Sequence, residues 1–289
     1  MTETELFVQA LVSGLLAGLT FSLIAVGLTL IYGVMDIVNF AHGEFLMLAM
    51  YATFWLYSLG GLDPLASLPL TTAMIALLGL GTYQLLIRRI IGGMPHTQIF
   101  ATFGLMIFLQ SAAQFVWGAD YHAVSRSWIS GRLLLGRVVV GYPQLVAGAG
   151  ALLATAAVYV FLQRTKLGRA LRATAQDRDA ATLLGINTDR MYALAWAVGA
   201  ACVAVAGTLL ATHFYIFPRV GTVFALVAFA TVALGGFGSI EGALVAGILI
   251  GVIEVMAGYF ISSHFKFVFV YLIYLAVVIV RPRGLLGRR

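Results

Sequence analysis

Nine runs of apolar residues divide the chain, near 6–32, 45–61, 65–87, 97–118, 144–163, 191–212, 221–239, 242–262 and 266–280. The runs are continuous, without the alternation of apolar and polar positions that marks a half-buried strand. A bilayer core takes about 20 apolar residues per helical crossing. The pattern therefore predicts an all-α polytopic membrane protein with eight or nine transmembrane helices, forming one domain over 1–289. A transmembrane β-barrel is excluded, because its strands alternate. The first run follows the acidic Met1-Thr-Glu-Thr-Glu5, without a basic leader or a small-residue cleavage site, and reads as a retained helix.

Two interruptions fit this pattern poorly. The stretches 33–44 (Gly-Val-Met-Asp-Ile-Val-Asn-Phe-Ala-His-Gly-Glu) and 235–242 (Gly-Gly-Phe-Gly-Ser-Ile-Glu-Gly) are polar or glycine-rich, yet they join apolar runs with hardly a loop between them. Such backbone persists at membrane depth only when buried in protein or facing a watery cavity. Broken or re-entrant helices are expected at both places. Each stretch ends in an acid beside a glycine, a pattern that fits either an internal repeat of the transporter kind or a chance likeness of glycine-rich turns. Gly14 and Gly18, and again Gly247 and Gly251, stand four apart within apolar runs, a spacing that lets helices approach closely.

Composition agrees with the pattern. The chain is 62% hydrophobic and 10% charged, against about 25% charged for soluble domains. Its net charge of +6 does not indicate nucleic acid, because the Lys and Arg residues sit in loops and no basic soluble face is available. With 164–190 placed in the cytoplasm, twelve of the seventeen basic residues fall inside, and Arg126, Arg132, Arg137, Arg219 and Lys266 fall outside. The positive-inside rule then predicts N-terminus out and C-terminus in, with 119–143 as the longest outer loop. Cys202 is the one cysteine, so no disulfide forms within the chain.

The charged stretch 164–190 is too long for a turn between helices. Asp177 is placed to cap a short helix from Arg178 to Leu184, with Asp179 in its first turn. Gly185 supplies a left-handed stop, and Asn187, Thr188 or Asp189 can cap the next helix. Ala180, Ala181, Leu183 and Leu184 give the short helix an apolar side. Two readings follow from the residues alone. One is a hairpin lying on lipid headgroups through Arg169, Arg172 and Arg178; the other is an amphipathic helix docked in a partner's groove.

Leu184-Gly-Ile-Asn-Thr-Asp189, with Asn39-Phe-Ala-His-Gly-Glu44, Ala233-Leu-Gly-Gly-Phe-Gly-Ser-Ile-Glu-Gly242 and the tail Arg281-Pro-Arg-Gly-Leu-Leu286, closely resembles the permeases of branched-chain amino-acid ABC importers of the LivH type. The resemblance runs in order along almost the whole chain. It implies that residues about 169–186 rest on a cytoplasmic ATPase, with Arg172, Asp177, Ala181, Leu184, Gly185 and Asn187 as coupling residues. It also implies a second related permease subunit, two ATPase subunits carrying ATP and Mg, a periplasmic binding protein and a bacterial inner membrane. The implied cargo is branched-chain or other hydrophobic amino acids, with amides or urea handled by relatives. Independently, neither Lys166 nor Lys266 follows a glycine, so no Gly-x-x-x-x-Gly-Lys phosphate loop exists here and ATP hydrolysis belongs to another polypeptide.

Asp36, Glu44, Glu241 and Glu254 lie within or beside apolar runs, where an ionised carboxylate is costly and therefore a functional candidate. Asn39, His42 and Glu44 are expected to form a polar cluster lining the route or bracing the first break. Gly236, Gly238 and Glu241 belong to the second break, with Glu241 as the expected cap of the following helix. Glu254 stands without an evident partner. An ion-gradient-driven secondary transporter using these carboxylates is the competing reading. Metal and catalytic chemistry find no pattern: His42 and Glu44 lack a second histidine at zinc-protease spacing, and Ser239 is not in a nucleophile elbow.

Overall fold

The structure is a computed structural model that describes residues 3–125, 127–262, 265–281 and 284–287. Arg126, Arg283, Arg288 and Arg289, which enter the charge count, lie outside the described residues. The long helices are α1 (Glu3–Met35), α2 (His42–Gly60) and α3 (Pro64–Thr82), the last continued by a π-helical turn (Tyr83–Ile87) and the short α4 (Arg88–Ile90). Then come α5 (Pro95–Trp117), strands β1 (Arg132–Leu135) and β2 (Val138–Gly141), and α6 (Tyr142–Arg164). The charged stretch forms α7 (Lys166–Gln176) and α8 (Arg178–Leu183). The chain finishes with α9 (Thr188–Leu210), α10 (Val220–Gly235), α11 (Ile240–Phe260) and α12 (Lys266–Val280).

Every apolar run of the sequence is thus a helix, but the helices are of two kinds. Helices α1, α3 with its continuation to Ile90, α5, α6, α9 and α11 are long and apolar enough to cross a membrane. Helices α10 and α12 have 16 and 15 residues, which at about 1.5 Å per residue fall short of a 30 Å core. The polar first turn of α2 lowers its apolar character.

The all-α reading fits the bundle, and the loop at 119–143 adds an antiparallel hairpin pairing Arg132 with Gly141 and Leu135 with Val138. The run Leu133-Leu-Leu-Gly-Arg-Val-Val-Val140 carries a glycine at φ 65° between apolar and β-branched residues, which is hairpin chemistry. The open edge of β2 is closed by a side chain. Gln9 donates from Nε2 to the Val139 carbonyl (2.8 Å) and accepts from the Val139 amide (2.7 Å), acting as one residue of a third strand.

The most extensive helix pair is α1 with α11. The glycines four apart meet each other here. A methyl added to Gly14 would lie 2.7 Å from Val252 Cα, and one added to Gly18 would lie 2.7 Å from Ile248 Cα. Gly247 and Gly251 press on Ser22 and Gly18 from the other side. Just beyond, Ser22 Oγ donates to the Gly18 carbonyl (2.7 Å) and approaches the Leu244 carbonyl of α11 (2.9 Å). At the α8 end of α9, Asp189 gathers the end of α3. Tyr83 donates its hydroxyl proton to Asp189 Oδ1 (2.8 Å), and Arg88 Nε stands 3.1 Å from the same oxygen.

Gly18→Val is expected to cost about 1–3 kcal/mol by overpacking, whereas Gly81→Val, where an added methyl meets nothing within 4 Å, should change stability by less than about 0.5 kcal/mol. Thermal unfolding in detergent compares the two, and equal losses would contradict the glycine contact. A double-mutant cycle of Tyr83→Phe with Asp189→Asn should return a coupling of about 0.5–1.5 kcal/mol; additive losses would mean that the hydrogen bond is not formed.

Candidate functional site

The two breaks in the helical pattern are real and differ in build. After Met35 the chain leaves α1 through Asp36, the one non-glycine residue with positive φ (55°) among those described, and runs back into the bundle as 36–39. His42, the first residue of α2, then lies beside Ile24. Its Nε2 stands 3.0 Å from the Ile24 carbonyl, which can only accept, so Nε2 carries the proton. Ile24 is eleven residues before the end of α1, or about 16 Å along its axis. Helix α2 therefore starts deep within the molecule.

Break backbone at that depth needs internal partners. Thr102 of α5 donates to the Val38 carbonyl (3.0 Å), and Asn39 Oδ1 accepts the Ala41 amide (3.1 Å) in a local turn. Asn39, His42 and Glu44 are all buried, but they do not form the expected mutual cluster. Each is turned to a different neighbour: Asn39 to the turn before α2, and His42 and Glu44, two apart in the first turn of α2, to different sides of that helix. Glu44 reaches across α2 to α5, where Gln110 Nε2 donates to its Oε1 (2.8 Å) and also to Thr222 Oγ1 at the start of α10 (2.7 Å). Gly43 and Gly221 touch directly, so the first turns of α2 and α10 meet beside the carboxylate. Asn39 Nδ2, His42 Nδ1 and Glu44 Oε2 have no partner.

The second break is a tight link between α10 and α11. Gly236 and Gly238 adopt φ of 101° and 79°, conformations that side chains resist. The cap of α11 is Ser239, whose Oγ accepts the Gly242 amide at 3.0 Å. Glu241, expected as the cap, instead sits exposed in the first turn, two residues after the capping Ser239, where its charge favours the helix N-terminus. The last carbonyls of α10 are satisfied by the chain's tail. The amides of Leu285 and Leu286 donate to Leu234 (2.8 Å) and Gly235 (3.0 Å).

The two breaks meet. Gly33 packs against Gly238, and the rings of Tyr32 and Phe237 are 4.4 Å apart. A cavity of about 280 Å³ opens beside them, lined by Asp36, Gln163, Arg172, Gly238 and Glu241 among others. Arg172 belongs to α7, so the charged stretch borders both breaks. Its Nη1 donates to Gln163 Oε1 at 2.8 Å, and its Nε has no partner.

Along the charged stretch the local reading holds closely. Asp177 ends α7 and caps α8, accepting the Ala180 amide at 2.9 Å. Gly185 takes φ 80°, with its own amide on the Thr182 carbonyl and that of Ile186 on Ala181. Asn187 caps α9 through the Arg190 amide (3.0 Å). The apolar side of α8 is divided. Ala181 is buried against the bundle, whereas Leu183 and Leu184 are 89% and 81% exposed and Gly185 faces open space.

Sequence reasoning missed the partners. Gln110 was visible as a lone amide within an apolar run, and Thr222 as a hydroxyl at the edge of another, but nothing in the pattern joined them to Glu44. Glu254 is not isolated: Lys266 Nζ lies 2.6 Å from its Oε1. Among the described residues no group of three His, Cys, Asp or Glu side chains is arranged to hold a metal ion.

The comparisons with known proteins follow the same lines. A family model described as branched-chain amino acid transport system / permease component matches residues 10–279. The high-affinity branched-chain amino acid transport system permease protein BraD of Pseudomonas aeruginosa is 34% identical, covering 100% of this chain and 98% of its own. The permease protein LivH of Escherichia coli K12 is 32% identical over 98% and 96%. A probable LivH of Methanocaldococcus jannaschii is 29% identical over 92% and 88%. The multi-pass helical bundle and these matches agree, and the chain belongs to the family of branched-chain amino acid transport permease components.

Proposed function

We propose that this chain is one transmembrane permease subunit of an ATP-driven importer of branched-chain or other hydrophobic amino acids. It forms a single transmembrane domain in a bacterial inner membrane and pairs with a second, related permease. A periplasmic binding protein delivers the substrate, and two cytoplasmic ATPase subunits carry the ATP and Mg. The family membership supports the transport role, and the missing phosphate loop supports a separate motor. The excess of basic residues on the side of α7 and α8 supports an outer N-terminus and an inner C-terminus.

The observation that carries the reading is the surface made by α8. A short helix fixed at both ends by caps presents two neighbouring leucines and a bare glycine turn outward. Exposed leucines on a rigid, otherwise polar element suit a partner's groove. The same element is joined through α7 to both helix breaks. In this reading Asp177, Ala181, Leu184, Gly185 and Asn187 set the shape of the contact, and Arg172 relays its movement to the cavity at the breaks. Asn39, His42 and Glu44, with Gly236, Gly238 and Glu241, then form the parts of the pathway that rearrange.

The test is co-expression with candidate ATPase and second-permease subunits. Leu183→Ser with Leu184→Ser should lower ATPase capture at least about tenfold, as for interface anchors, and leave the thermal unfolding temperature unchanged, because both side chains are on the surface. Equal capture by wild type and variant would sink the proposed contact. Substrate uptake by this chain alone in proteoliposomes under a proton gradient, without ATP, would instead favour the secondary-transporter reading of the buried carboxylates.

A further inference from the structure

A cavity of about 410 Å³ that the helix breaks do not explain lies at the hairpin end of the bundle, between α1, α6, α10, α11 and α12. Its volume lies within the range of small-molecule sites, about 300–1,000 Å³. Most of its wall is apolar, formed by Leu16, Ala17, Phe21, Val223, Phe224 and Val227. One side is charged. Glu254 of α11 is only 6% exposed, and its Oε1 faces Lys266 Nζ of α12 at 2.6 Å. Its second oxygen, Oε2, has no partner.

That arrangement is more than a clasp between two helices. A pair that only joined α11 to α12 would leave a buried lone pair unsatisfied, at a cost of about 1–3 kcal/mol. Lys266, one-third exposed, makes one hydrogen bond to Glu254 and has two further protons to donate. Beside the cavity the pair therefore holds a shielded acceptor without a partner next to a donor with protons to spare. The pair is neutral as a whole, so a guest carrying a single charge would leave one half uncompensated.

We propose that this cavity is a binding site for a free zwitterionic amino acid with an apolar side chain. On binding, the Glu254 carboxylate turns Oε2, which is shielded from solvent in this structure, onto the α-ammonium; the α-carboxylate accepts from Lys266 Nζ, and the side chain lies among Phe21, Val223 and Phe224. Access comes from the hairpin end. Ser13, Gln144 and His213 line this cavity and also a neighbouring one of about 390 Å³ that reaches Gly131 and Arg132 of the hairpin region. The inference rests on the importer reading and deepens it. It assigns substrate recognition to a charge pair within the permease itself, in addition to the delivering protein.

Binding of radiolabelled L-leucine to the assembled transporter in nanodiscs, without binding protein, tests the site. Unlabelled L-valine should compete, whereas 3-methylbutylamine and 4-methylpentanoate, each lacking one of the two charges, should not. Glu254→Gln and Lys266→Met should each weaken leucine binding at least tenfold. Should either variant fold poorly, Val223→Phe fills the cavity without touching the pair and should also abolish binding. Competition by the amine or the acid equal to that by valine, or wild-type binding in all three variants, would overturn the proposal. A transporter that moves leucine from its binding protein while the variants do so at the wild-type rate loses the cavity but keeps the importer reading. Failure of the wild-type assembly to move any amino acid would remove that reading itself.

Discussion

Wherever a helix stops inside an apolar surrounding, its freed amides and carbonyls have to find partners within the protein. This chain stops helices inside the bundle more than once, and the rest of its architecture answers those interruptions. Thr102 of α5 serves the Val38 carbonyl, Ser239 serves the start of α11, and the tail serves the end of α10. Helix α5, largely exposed along its length, meets the bundle through such contacts, including the bridge from Gln110 to Glu44 and Thr222, and through apolar packing such as Trp117 on Tyr51. A defined shape is thereby maintained around backbone that is not itself regular.

Against these interruptions stands a rigid element. The four glycines of α1 and α11 bring the two backbones into contact, and close-packed backbones have little freedom to slide. Both breaks begin or end on this pair, since α1 leads into the first and α11 leaves the second. The charged stretch then bears on the breaks through Arg172 and on α9 through Asn187 and Arg178, whose guanidinium lies 5.5 Å from the Tyr192 ring centre. In the proposed importer, a push on α8 would thus bear on the parts of the bundle least fixed by regular structure. The two cavities lie at opposite ends of the same framework, one beside the breaks and one beside the hairpin.

What could be read from the sequence was local. The caps of α8 and α9, the glycine stop and the place of both breaks depend on residues within a few positions of each other, and they stand where the spacing put them. The glycines four apart could be recognised as packing residues, though not as partners across more than two hundred positions. The polar partners were beyond reach for the same reason. Glu44 meets Gln110, His42 meets Ile24 and Tyr83 meets Asp189 only after the helices have packed. The hairpin was hidden by context: its ten residues, 132–141, lie in a long outer loop between strongly apolar runs, and strands of four residues leave little pattern.

In the proposed importer, α1 and α11 move as one body while α7 and α8 move against them. Electron-spin distance measurements on the assembled transporter test this most directly, with Cys202 replaced by alanine and labels on exposed positions. One pair, Leu15 and Leu249, reports the glycine-packed helices; the other, Thr182 and Val245, reports α8 against α11. On addition of ATP the first distance should stay constant and the second should change. A change between Leu15 and Leu249, or constancy of both distances, would contradict the account.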